Sequence, residues 1–211
     1  MKRIALFASG SGSNAEKIAG YFAESTDVDI TLILSNNPKA GVIERARHGF
    51  ARHGFARHEF ARHEFEKQVH VPVLLFDRTT FYDTERITQL LQQQSVDLIV
   101  LAGFMWLMPG SLVRAFPNKI INIHPALLPK FGGKGMYGHF VHEAVVAAGE
   151  TESGITIHYV NEHYDEGQII FQASCPVLST DTPDDVARKV QQLEHEHYPR
   201  VVAELLEKIN E

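Results

Sequence analysis

The strongest constraint on the fold is a short apolar run, Ile4 to Ala8, that passes through the cluster Ser9-Gly10-Ser11-Gly12 into a helical pattern. A run that is apolar at every position belongs to a strand buried on both faces, the habit of a parallel sheet. From Ser13 to Ala23 the residues Ala15, Ile18, Ala19 and Phe22 share one face of a helix. Val28 to Leu34 reads as a second strand, closed by Ser35-Asn36-Asn37-Pro38. Val71 to Phe76 and Leu98 to Ala102 read as two more, with a helix over Asp83 to Gln94 between them. This alternation predicts an α/β fold of Rossmann-like type, a mostly parallel sheet with helices on both faces.

Past Ala102 the beat changes. Lys119 to Ile123 is another strand, followed by a Pro/Gly-rich loop over Pro125 to Gly138 and a short helix over Phe140 to Ala148. Ile155 to Val160 and Gln168 to Val177 alternate like an antiparallel pair, so the sheet is expected to end in an antiparallel extension. A long helix is expected over Asp184 to Ile209, capped by Thr182 and broken or kinked at Pro199. Nothing resembles a flexible linker. The expectation is one mixed-sheet domain over residues 1–211, made of a 1–102 half and a 103–211 half.

Residues 46–65 read ARHGF-ARHGF-ARHEF-ARHEF, four copies of a pentapeptide. Helical residues five apart are rotated by roughly 140°, so this period builds no single apolar face. Its histidines invite a metal-binding reading. The plainer one is a tandem duplication that lengthens a surface helix by close to four turns, since three extra copies add roughly 15 residues. No chemistry is assigned to it.

Bulk properties exclude some classes. The formal net charge of −6 gives no general attraction to nucleic acid or anionic membranes. No apolar stretch approaches the roughly 18 residues that a membrane span needs, and the N-terminal run is too short for a signal-peptide core. A single cysteine, Cys175, cannot form an intramolecular disulfide and suits a reducing compartment. The expected location is cytoplasmic.

The Gly/Ser loop is built for an anion. Glycines allow a tight turn and close backbone approach, and a helix N-terminus presents unpaired N–H groups at the positive end of its dipole. Ser11, Ser13 and Asn14 add side-chain donors. Gly10-x-Gly12-x-x-Ala15 also fits the dinucleotide spacing. A nicotinamide enzyme usually carries an acid at the end of the second strand, where this chain has Leu34-Ser35-Asn36-Asn37, so a phosphate monoester is favoured. The competing structural explanation is a tight turn with Ser13 as helix cap.

Asn122-Ile123-His124-Pro125 ends a strand, and residues i and i+2 of a strand project to one side. An Asn amide can donate to a carbonyl oxygen that gains negative charge, and an imidazole can move a proton near neutral pH. Acyl transfer to an amine needs both. A carboxylate from the polar turn Asn161-Glu162-His163-Tyr164-Asp165-Glu166-Gly167 could orient the imidazole and raise its proton affinity. Spacing leaves Glu162, Asp165 and Glu166 open for that part. His124, His139, His142, His158, His163, His195 and His197 form no helical H-x-x-x-H site, and no metal is expected.

These segments together resemble the phosphoribosylglycinamide formyltransferases. The resemblance rests on Ala8-Ser9-Gly10-Ser11-Gly12-Ser13-Asn14, Leu101-Ala102-Gly103-Phe104-Met105 and Asn122-Ile123-His124-Pro125-Ala126-Leu127-Leu128-Pro129-Lys130. It continues through Gly154-Ile155-Thr156-Ile157-His158-Tyr159-Val160, Asp165-Glu166-Gly167 and Glu194-His195. It implies the formyltransferase fold, with a phosphate-binding first half and a catalytic, folate-binding second half. It implies transfer of a formyl group from 10-formyltetrahydrofolate, as co-substrate, to the amine of glycinamide ribonucleotide in purine synthesis. Asn122 and His124 match the family's catalytic pair, and Asp165 its carboxylate. Gly12, Ser13 and Asn14 match the phosphate cradle, and Glu194 a residue holding the ribose or glycinamide portion. Met105, Trp106, Leu107 and Met108, with Asn161, Glu162, His163 and Tyr164, match the folate-lining segments.

The chain departs from that pattern at Trp106, where some members carry Arg, in the loop Phe131 to Gly138, and in the repeat. Arg78 is a weak candidate for a basic substrate-binding residue. Partners are expected to be small molecules only, in a monomer or homodimer. Alternatives are another formyl acceptor, such as an amino sugar nucleotide or initiator tRNA, or a nucleotide-binding module without formyl chemistry. The tRNA type carries an extra C-terminal domain, whereas this chain ends at residue 211 and is not basic.

Overall fold

The computed structural model describes residues 1–49 and 71–209, so most of the pentapeptide repeat lies outside the described residues. The chain divides into two compact units, one of residues 1–97 with 102–104, the other of residues 98–101 with 105–211.

In the first unit, strands β1 (Lys2–Phe7), β2 (Val28–Ser35) and β3 (Val73–Leu75) lie in the order β3-β2-β1, each pair parallel. Ile4, Ala5, Leu6 and Phe7 have no exposed surface, as a strand apolar at every position requires. Helix α1 (Ser13–Tyr21) buries Ala15, Ile18 and Ala19 along the face read from the sequence. Helix α2 (Gly41–Arg47) takes in the first residues of the repeat. Phe7, Phe76, Phe81 and Phe104 form an aromatic cluster with ring centroids 5.0–6.3 Å apart, a strongly stabilising use of buried surface.

The helix expected over Asp83 to Gln94 is α4 (Arg86–Gln93), and a separate short helix that was not expected, α3 (Arg78–Tyr82), precedes it. Asp77 caps α3 by accepting from the Thr80 N–H at 2.7 Å, and the Thr84 hydroxyl donates to the Thr80 carbonyl at 2.7 Å where the chain turns between them. Local side-chain bonds of this kind compete with a continuous helix.

In the second unit, β4 (Leu98–Leu101) pairs parallel with β5 (Ile120–His124). β6 (Glu152–Tyr159) runs antiparallel to β5, and β7 (Ile169–Pro176) antiparallel to β6, as the alternating patterns predict. Helix α5 (Gly110–Ala115) was not foreseen, and α6 (His139–Ala147) follows the Pro/Gly-rich loop. Helix α7 (Pro183–Lys208) begins at a capping box between Thr182 and Asp185, with Pro183 in its first turn. Contrary to the expected break, α7 runs through Pro199, which is buried. Pro199 offers no N–H to the carbonyl of His195, and packing around Tyr198, Val201, Val202 and Leu205 outweighs that loss.

Candidate active site

The anion cradle begins where β1 ends. Gly12 is the N-cap of α1 and has φ +78°, a left-handed conformation that glycine tolerates. A Cβ there would lie 2.6 Å from Val42 Cβ and 2.7 Å from Val42 Cα, so space and dihedral both demand glycine. The cap is thus Gly12 and not Ser13, and no side chain caps the start of the helix. Asn14 is buried in the first turn.

The loop is braced from three sides. The Ser9 hydroxyl donates to Asn36 Oδ1 at 2.7 Å, Asn37 Nδ2 donates to the Ser9 carbonyl at 3.0 Å, and Arg45 Nε donates to the Ser11 carbonyl at 2.9 Å. Arg45 also pairs with Glu16. The Asn36-Asn37 pair therefore occupies, as a brace for the glycine loop, the place where a dinucleotide enzyme carries its acid. Arg45 is the basic residue beside the cradle, and the sequence reading missed it. Arg78 stacks its guanidinium 5.1 Å from the centre of the Tyr82 ring.

In the second unit, the β5–β6 register sets Asn122 opposite His158 and His124 opposite Thr156. His158 Nδ1 lies 2.9 Å from the Tyr159 carbonyl oxygen. A carbonyl only accepts, so Nδ1 carries the proton and the neutral ring offers Nε2 as an acceptor. Asn122 Nδ2 is 3.1 Å from that Nε2 and donates to it. One amide hydrogen of Asn122 is thereby held and the other left to act. His124 Nε2 donates to the Phe131 carbonyl at 2.8 Å, while its Nδ1 faces Asp165 Oδ2 at 3.5 Å. Asp165 Oδ2 also accepts from the Gly133 N–H at 2.9 Å, and Oδ1 lies 3.6 Å from His158 Nε2. Asn122, His124, His158 and Asp165 thus form one cluster around a single carboxylate.

Of the three carboxylates left open by spacing, Asp165 is the one that reaches His124. Glu162 pairs with Arg114 at 2.6 Å, and Glu166 is exposed. Asp165 holds φ +57°, a conformation uncommon for a non-glycine residue and often retained at working sites. Burial pushes its carboxyl up, but His158, His124 and the Gly133 N–H together pull it below the usual carboxylate range, so it stays ionised. Asp165 raises the proton affinity of His124, as expected of a carboxylate beside it. Burial lowers its proton affinity, and this outweighs the opposing pull of Asp165 and the Phe131 carbonyl, so its pKa lies below the ordinary histidine value.

Thr156 organises the loop that follows β5. Its hydroxyl donates to the Ala126 carbonyl at 2.7 Å and accepts from the Leu128 N–H and from Gln172 Nε2, each at 2.9 Å. One donor and two acceptors use the full capacity of a hydroxyl. Of the segments matched to folate, Met105 is exposed and Met108 buried, while the His163 N–H donates to Asn161 Oδ1 at 2.9 Å. The Arg114–Glu162 pair ties the second segment to α5. Glu194 lies one helical turn before Tyr198, whose hydroxyl is 3.0 Å from the Leu101 carbonyl oxygen on β4.

With this geometry in view, the comparisons with known proteins are decisive. The Formyl transferase family matches residues 2–202. The chain belongs to the phosphoribosylglycinamide formyltransferase family. It is 35% identical over 211 residues to phosphoribosylglycinamide formyltransferase of Bacillus subtilis, covering 98% of this chain and 95% of that one. It is 39% identical to the chloroplastic phosphoribosylglycinamide formyltransferase of Arabidopsis thaliana, of whose length it spans 66%, and it spans 61% of the Vigna unguiculata relative of the same name. The crystal structure of phosphoribosylglycinamide formyltransferase from Streptococcus pneumoniae matches at TM-score 0.78 and 33% identity, over 98% of this chain and 99% of that one. The family's mixed α/β fold, mostly parallel with antiparallel C-terminal strands, is the one described above. Among the described residues no helix is long and apolar enough to cross a membrane.

Proposed function

We propose that this chain transfers the formyl group of 10-formyltetrahydrofolate to the amine of glycinamide ribonucleotide, a step of purine synthesis. The observation that carries the reading is the cluster of Asn122, His124 and Asp165, found in a chain whose relatives are named for this reaction. Gly12, Ser13 and Asn14 take the phosphate, with Glu194 on the ribose or glycinamide portion. Residues 105–108 and 161–164 receive the folate. We place the reaction in the cytoplasm, a reducing compartment that suits the free Cys175; two of the relatives are named chloroplastic.

In this reading the neutral amine attacks the formyl carbon, and a C–N bond forms as the carbonyl electrons move to oxygen. The free hydrogen of the Asn122 amide stabilises that oxyanion, joined by the His124 Nε2–H, which turns to it from the Phe131 carbonyl. Before attack, Asp165 and the Phe131 carbonyl hold the imidazole by its two nitrogens. Charge growing on the oxygen offsets the burial that lowers the proton affinity of His124. The tetrahedral species collapses by breaking the bond to the folate nitrogen, which takes the proton lost by the amine.

The test is spectrophotometric. Purified chain should release tetrahydrofolate from 10-formyltetrahydrofolate only when glycinamide ribonucleotide is present. Equal release with an amino sugar nucleotide, or none with either acceptor, would contradict the assignment.

A further inference from the structure

Among the described residues, Tyr198 is the largest side chain that the fold buries completely, and it carries a hydroxyl. A buried polar group needs a partner, and this one has two within reach. The hydroxyl donates to the Leu101 carbonyl at 3.0 Å, and the Ile121 carbonyl shares the same proton at 3.4 Å. These carbonyls lie on the neighbouring parallel strands β4 and β5. Leu101 ends β4, and the Ile121 carbonyl belongs to the peptide that leads into Asn122. Burial raises the phenol pKa well above its ordinary value, and the Glu194 carboxylate adds to the effect, so the hydroxyl keeps its proton.

Glu194 and Tyr198 stand four residues apart on α7 and share one face of the helix. The helix ladder is incomplete at this point. Pro199 has no N–H for the His195 carbonyl, so one of the bonds that would tie the Glu194 turn to the next is missing. The Tyr198 hydroxyl supplies a tertiary bond from the same turn to the sheet. Asn122 does not rely on that bond, because β5 is held by β4 on one side and by β6 on the other. The helix turn is therefore the partner that the hydroxyl fixes, and the strands are its support.

We infer that the Tyr198 hydroxyl is a positioning group for the amine substrate: it pins the Glu194 turn of α7 to β4 and to the peptide before Asn122. The part given to Glu194 rests on the function proposed above, whereas the pinning of its turn does not.

The experiment is Tyr198→Phe in the full chain, which keeps the ring and deletes the hydroxyl. The KM for glycinamide ribonucleotide should rise about fivefold, the usual worth of one neutral hydrogen bond. The KM for 10-formyltetrahydrofolate and kcat should change much less. In a Glu194→Gln background, Tyr198→Phe should add no further rise. Amide hydrogen exchange over residues 194–198 should quicken in Tyr198→Phe, with the amides of β5 unchanged. A lowered unfolding midpoint with an unchanged KM would show a tyrosine that serves stability alone and would overturn the inference. A rise in KM that persists in the Glu194→Gln background would also overturn it, by showing that the hydroxyl acts through another group. Inactivity of the unsubstituted chain on glycinamide ribonucleotide would instead sink the assigned reaction. Hydrogen exchange would then decide the pinning by itself, and equal rates in the two proteins would overturn it.

Discussion

The two units build their polar sites in opposite ways. In the first, the loop proposed as the phosphate cradle is one contiguous segment, Gly10 to Asn14, at the start of α1. In the second, the cluster gathers Asn122, His124, His158 and Asp165 from two strands and a turn, and works through side chains. A local backbone site depends on the space for its glycine. A non-local side-chain site depends on strand register. The two should therefore fail differently when perturbed.

The largest expected effect is on turnover. Asn122→Ala and His124→Ala should fold normally and lose about 10²–10³ in kcat, the usual consequence of removing an oxyanion donor. Steady-state kinetics on the purified variants checks this, and a loss below tenfold in both would remove the distinction between the units.

Gly12→Ala should reverse that profile. The left-handed dihedral and the 2.6 Å approach to Val42 should cost about 2–4 kcal/mol, seen as a lower denaturation midpoint and a raised KM for the phosphorylated substrate. The kcat at saturation should change much less. An unaltered midpoint would mean that the cradle is not a tightly packed local device.

A third expectation concerns acid. His142, buried on α6 beside His139 and in the field of His124, titrates at about 4, chiefly through burial. Its folded pKa is below the unfolded value, so it is neutral in the fold while the unfolded chain takes up a proton. Its contribution is therefore present above about pH 6.5 and lost as pH falls toward 4, amounting to at most about 3 kcal/mol. Denaturant unfolding at pH 7 and pH 4.5 should show the loss, and His142→Gln should flatten the difference. An equal slope in the variant would assign the acid sensitivity elsewhere.

The smallest effect sharpens the second unit's chemistry. Asp165→Asn removes the charge that opposes burial at His124, so the imidazole should titrate at still lower pH in an NMR titration. A titration moved upward would contradict the assigned pairing.

Much of this architecture was legible in the sequence. The continuous apolar run at Ile4 to Ala8 and the alternation at Ile155 to Val160 gave a buried parallel strand and an antiparallel pair, because burial on one or two faces imposes its period directly. The glycine turn into α1 was legible because all its parts are neighbours in the chain. What could not be read was register. Nothing in Gly154 to Val160 says that His158 stands opposite Asn122, and choosing Asp165 over Glu162 rested on resemblance until the turn was seen in three dimensions. Burial also escaped, so the net lowering of the His124 pKa was not visible, although the raising effect of Asp165 was. Arg45 was hidden because it reaches Ser11 across two elements, and Pro199 misled because packing on α7 outweighs one lost hydrogen bond.

The most direct test of the central claim is a double-mutant cycle on single-turnover formyl transfer, with Asn122→Ala, His124→Ala and the pair together. Groups that act as one unit on the same oxyanion are non-additive, so the double variant should be little slower than the slower single variant. Losses that multiply would show that the two side chains work independently, and the account of a single cluster would fall.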